Sequence, residues 1–153
     1  MARAKQELGA AAGLYERDFC LWAEQQVGLL RQGIVEGLDL ANLADEIDDL
    51  SVRARRAVKS NLVVVLMHLL KHQFQPRRRS RSWRATILEH RQRLRDKFRT
   101  SPSLQGHARE IFDEAYADAR ARAAVETGLH EEVFPASVPY TLDQALDPAF
   151  LPD

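Results

Sequence analysis

The chain has 153 residues, 45% of them apolar and 29% charged, with a formal net charge of zero. That is the size and make-up of one globular domain with a sizeable core, which excludes wholesale disorder. A single cysteine, Cys20, excludes an internal disulfide and fits a reducing compartment.

Sparse aromatics, few glycines and prolines, and abundant alanine and leucine favour helices over strands. Residues 1–13 lack the apolar core of a signal peptide and are expected to form a flexible tail. The first helix is predicted over Tyr15–Gln32, with Tyr15, Phe19, Trp22, Ala23, Gln26 and Leu30 at helical spacing and Gly33 as its stop. Cys20 lies in this pattern and is expected to be a small buried hydrophobe. Asp39 is placed to cap a second helix. Its apolar stripe runs Leu43, Ile47, Leu50, Ala54, Ala57, Val58, Leu62, Val65 and Leu69, without a Gly or Pro before Pro76. The pattern fits one helix of about 35 residues, straight or kinked near Ser51 or Asn61, ending ahead of Pro76 because the residue before a proline avoids helical angles. Its most apolar run, Leu62–Leu70, is interrupted by His68 and is half the length a bilayer requires, so no membrane association is expected.

A third helix is predicted over Ser82–Arg99, with Trp83, Ile87, His90, Leu94 and Phe98 on one face. Ser101 and Pro102 suit the start of a fourth, running to Glu126 and stopped by Gly128, with Leu104, Ala108, Ile111, Phe112, Ala115, Ala119 and Ala123 inward. The segment from Leu129 carries four prolines yet keeps Phe134, Tyr140, Leu146 and Phe150. So many apolar groups imply a segment packed on the bundle, and Thr141–Gln144 has the spacing of a capping box for a short helix. The fold expected is all-α: a bundle of about four helices, residues 14–153 as one domain, with a proline-containing C-terminal wrap.

Charge is unevenly spread. Glu36–Asp49 holds six acidic residues and no basic one, whereas Arg77–Arg99 holds ten basic and two acidic residues. The two segments either neutralise one another or leave a cationic patch open to an anionic partner. Arg77, Arg78, Arg79, Arg81 and Arg84 lie densest, around a proline turn, and arginine's planar fork suits phosphate and carboxylate. Trp83 among them could stack on a base, but it opens the apolar stripe of the third helix and is expected to be packed.

Asn61, His68, His72 and Gln75 fall within about 40° of one helical direction. Buried there, they need partners from other helices. They would form either a structural network or a polar pocket with His68 as acid–base group. His68 and His72 have the i, i+4 spacing of metal ligands, but Glu46 and Asp49 lie roughly 30 Å away along a straight helix. Only His90, Asp113 or Glu114 could complete a set, and no Glu-x-x-His pair occurs, so no metal and no cofactor are expected. The Arg84–His90 spacing resembles the Arg-x(4–6)-His motif of helical HEPN ribonucleases, but a chain so rich in arginine produces it by chance.

Several separate stretches resemble one bacterial family, the domain of unknown function 29. They are Tyr15–Phe19, Leu43–Ile47, His68–Lys71, Gln75-Pro76, Arg79–Arg84, Glu126–Leu129, Pro139–Thr141 and Phe150–Pro152. The likeness covers about residues 14–152. It implies a compact all-helical protein and assigns no activity. Position 72, where an aromatic residue is usual in that family, carries His72 here, which makes it a weak candidate for shared chemistry.

Together these features point to a cytoplasmic, non-enzymatic binding module. Its arginine turn would meet nucleic acid or an acidic protein surface. The alternative is an enzyme, ribonuclease-like or metal-dependent, built on a pocket at His68. The sequence sets no oligomeric state.

Overall fold

The computed structural model describes residues 13–153, and the tail expected over 1–13 lies outside them except for Gly13. The described residues contain helices and turns and no strand. The main helices are α1 (Phe19–Gln32), α2 (Leu40–Phe74), α3 (Arg81–Thr100), α4 (Leu104–Glu110), α5 (Phe112–Thr127) and α6 (Leu142–Leu146). The chain groups into two compact units, one ending at Ser51 and the other covering Val52–Asp153, with α2 running through the boundary.

In the first unit α1 begins later than its periodicity suggests. Asp18 leaves helical angles at φ −152° and accepts a hydrogen bond from the Leu21 N–H, so it caps α1 and separates it from the helical turn at residues 13–17. Tyr15 still packs on α1, edge-on to Trp22 with ring centroids 4.8 Å apart. At the other end Gly33 adopts a left-handed conformation, φ 70°, as the C-terminal stop requires. Asp39 caps α2, accepting from the Asn42 N–H, and is held by Trp22 Nε1 at 3.2 Å. Its own N–H donates to the buried Gln26 Oε1 at 2.8 Å. Burial pushes the Asp39 carboxyl up, but the donors on Asn42 and Trp22 outweigh it and hold the group below its usual range.

Two expectations fail in this unit. Cys20 is exposed, because it lies two residues, about 200° of helix, from the buried Trp22. Ile47 and Leu50 are also exposed, at 67% and 63%. The preceding chain meets α2 at Asp39 and Glu46, through Trp22 and Tyr15.

The second unit carries the core. Val58, Leu62, Val65, Leu66, Leu69 and Leu70 of α2 are fully buried, as are Ile87 and Leu94 of α3 and Ala108, Ala115, Ala119 and Ala123 of α4 and α5. The predicted fourth helix is two. At Ile111 the backbone relaxes to φ −98°, ψ 5°, yet the Ile111 N–H still reaches the His107 carbonyl, so the apolar stripe crosses the break in phase. The C-terminal segment packs as expected. Phe134, Tyr140 and Ala145 are buried, and Thr141 and Gln144 form both bonds of a capping box at α6.

Candidate anion-binding surface

Two local signals shape the connection between α2 and α3. Pro76 ends the long helix and opens a single 3-10 turn, Pro76–Arg78. Ser80 then returns to extended angles and its Oγ accepts from the Trp83 N–H, capping α3. Five arginines ride on these two reversals, and Arg77, Arg78, Arg79, Arg81 and Arg84 are all exposed. Arg79 Nε donates to the His72 carbonyl at 2.8 Å, tying the turn to the last turn of α2. Among the described residues none of the five lies within ion-pair distance of a carboxylate. Among the described residues, internal neutralisation, one of the two readings of the charge pattern, is not formed at this turn.

Six carboxylates of the second unit pair elsewhere. Lys59 bridges Glu114 and Asp118, Lys71 bridges Glu126, and Arg120 bridges Glu131. Glu89 and Asp96 pair with Arg93 and Arg99 on their own helix. Trp83 is half-buried, with Lys71 Nζ 4.7 Å from its ring centroid, so its face is already occupied by a cation. Beneath Arg77 and Arg78 lies a cleft of about 360 Å³ floored by Phe74, Pro76 and Leu129. The turn thus joins open cations to a small apolar recess.

The polar stripe of α2 is divided among separate partners. Asn61 Nδ2 donates to the Ala57 carbonyl, and its Oδ1 accepts from His90 Nδ1 at 2.7 Å. His68 Nδ1 donates to the Val64 carbonyl, one turn back on the same helix. His72 Nδ1 donates to the Pro152 carbonyl at 3.0 Å, which leaves its buried Nε2 without a partner. Burial lowers the pKa of His68, His72 and His90 below the ordinary value; the backbone-carbonyl bonds of His68 and His72 oppose it only in part, and the nearby Arg93 charge adds to it at His90. All three are neutral near pH 7. Among the described residues His68 makes no hydrogen bond to a second titratable side chain. Asn61 lines an opening of about 620 Å³ that it shares with Arg93, Lys97 and Ser101.

His90 was legible as an inward residue of α3, but its pairing with Asn61 was not. Nor was the bond from Tyr140 Oη to Gln73 Oε1, because both join positions far apart in sequence. Among the described residues no group of three or more His, Cys, Asp or Glu could hold a metal ion, and no helix is long and apolar enough to cross a membrane.

No curated protein and no solved structure matches the chain. A family model does match, over residues 14–151, and the chain belongs to the family described as Domain of unknown function DUF29.

Proposed function

We propose that this protein is a non-enzymatic binding module whose α2–α3 turn engages an anionic partner, nucleic acid or an acidic protein surface. One observation carries the reading: five exposed arginines across the α2–α3 turn and the start of α3 have no carboxylate within ion-pair distance among the described residues. Arginines at the start of α3 also oppose the helix macrodipole, which favours anions at that end. A cluster held in that position is relieved by a phosphate or carboxylate supplied from outside. The apolar recess beneath Arg77 and Arg78 gives such a partner a contact beyond charge. On this reading the protein works without a cofactor in the reducing cytoplasm of a bacterium.

The test is fluorescence anisotropy of short RNA and DNA at two salt concentrations. Wild type is compared with a variant in which Arg77, Arg78, Arg79 and Arg81 are all alanine, and the RNA is checked for cleavage on a gel. Salt-sensitive binding that the variant loses is the expected result. Equal binding by both proteins places the interface elsewhere and removes the reading. Cleavage of the RNA replaces it with an enzyme.

A further inference from the structure

Arg91 is the one arginine of α3 that points inward. It falls on the helix's apolar stripe, one turn from Ile87 and ahead of Leu94 and Phe98, and is 3% exposed. Its Nε donates to the Ala145 carbonyl at 2.7 Å and its Nη2 to the Gln144 carbonyl at 3.3 Å, which ties down the last turn of α6. Those bonds need two N–H donors and no positive charge, and a neutral amide could supply both. The guanidinium brings a charge as well, and burial disfavours that charged form. Asp147 eases it from a distance but does not come within ion-pair range.

The charge faces an opening. Arg91 lines a cleft of about 330 Å³ together with Arg95, Phe98, Arg99, Gln105 and Leu146. Nη1 has no protein partner and is not sealed from solvent, so its two N–H groups are available to that space. Among the described residues Arg95 has no ion-pair partner, whereas Arg99 is held by Asp96 at 2.9 Å. A smaller recess of about 160 Å³ shares Phe98, Gln105 and Leu146 and adds Arg109, with Asp143 as its acidic member. The larger cleft therefore brings the cations Arg91 and Arg95 together with the apolar side chains of Phe98 and Leu146.

We propose that this cleft binds a small organic carboxylate, its head on Arg91 and Arg95 and its hydrocarbon body against Phe98 and Leu146. A planar carboxylate accepts two parallel N–H bonds from a guanidinium. The apolar side chains of Phe98 and Leu146 beside the two cations suit a ligand with a hydrocarbon body, which a bare phosphate lacks. The site is separate from the α2–α3 turn and does not depend on the function proposed for it.

The test titrates acetate, hexanoate and 3-phenylpropionate into the protein and follows backbone amide and Arg Nε–H resonances by NMR. Inorganic phosphate and 3-phenylpropan-1-ol serve as controls. Expected are saturable shifts at Arg91, Gln105 and Leu146 with hexanoate or 3-phenylpropionate, weaker ones with acetate, and none with the alcohol. Arg95→Gln, an exposed change that leaves the core intact, weakens binding about tenfold. Arg91→Gln keeps donors for the two carbonyls and abolishes binding; a folded spectrum of that variant is its control. The proposal is overturned if none of the three carboxylates saturates, if the alcohol binds as well as the acid, if phosphate binds more tightly than every carboxylate, or if Arg95→Gln binds like wild type.

Discussion

On the flank where α2 meets α5, every lysine of α2 has an acid to answer it: Lys59 has Glu114 and Asp118, and Lys71 has Glu126. At the turn that follows α2 and the start of α3, five arginines have none among the described residues. The difference comes from geometry rather than composition. Two helices side by side offer each other whole faces, so an acid on one can meet a base on the other. A proline turn at the end of a helix projects its side chains away from the packed faces. Charge on the flank therefore serves the fold, whereas charge on the turn is left for something else. Removing a flank group should cost stability, and removing turn groups should cost almost none.

The largest effect expected comes from the segment that closes the flank. Phe134 is 1% exposed and packs edge-on against Phe74 at 5.4 Å. Phe134→Ala is expected to lower unfolding free energy by about 3–5 kcal/mol in urea titration. Lys71→Met comes next. Its residue is buried and carries both the Glu126 pair and the Trp83 contact, so a loss of about 1–2 kcal/mol is expected.

Acid should act on the fold through the histidines. The buried His72 has its pKa lowered from the ordinary 6.5, chiefly by burial. Between that lowered value and 6.5 the unfolded chain binds a proton that the folded chain does not. Its contribution is therefore intact above about pH 6.5 and declines as pH falls toward the folded-state pKa, with a slope of at most about 1.4 kcal/mol per pH unit. Urea midpoints measured from pH 7.5 to 5 should fall, and His72→Phe should make the fall shallower. An unchanged slope in that variant would show that His72 is not among the groups taking up protons.

The smallest effect sharpens the comparison most. Replacing Arg77, Arg78, Arg79 and Arg81 by alanine removes four charges but only one protein hydrogen bond, that of Arg79. Unfolding free energy should change by no more than about 1 kcal/mol in total, with the thermal transition still cooperative. A collapse of stability would mean that the turn has structural work to do and is not a free surface.

Much of the fold was legible because its signals are local. Asp39, Pro76 and Gly128 mark helix ends by their own backbone chemistry, and Thr141–Gln144 announces α6. Periodicity also located the core of α3, α4 and α5. It failed where a polar residue changes the meaning of a pattern. Asp18 looks like one more polar position in a helix but caps it. Arg91 looks like one more member of a basic run, yet it occupies an apolar-stripe position, and that spacing was the available clue to its burial. The exposure of Cys20, Ile47 and Leu50 depends on how far a neighbouring segment reaches, which no local pattern records. The arginine turn was visible as composition, but whether an acid would neutralise it was a question of three-dimensional pairing.

The most direct test of the account is the salt dependence of binding to a single-stranded oligonucleotide, for wild type and for the four-arginine variant. A phosphate contact contributes roughly 0.7 to the slope of log K against log salt concentration on a single strand. If the turn is the anionic interface, the wild-type slope is steep and the variant's is shallower by roughly 2–3, with the fold unchanged. Identical slopes in the two proteins, or no binding by either at low salt, would contradict the assignment of nucleic acid to this turn.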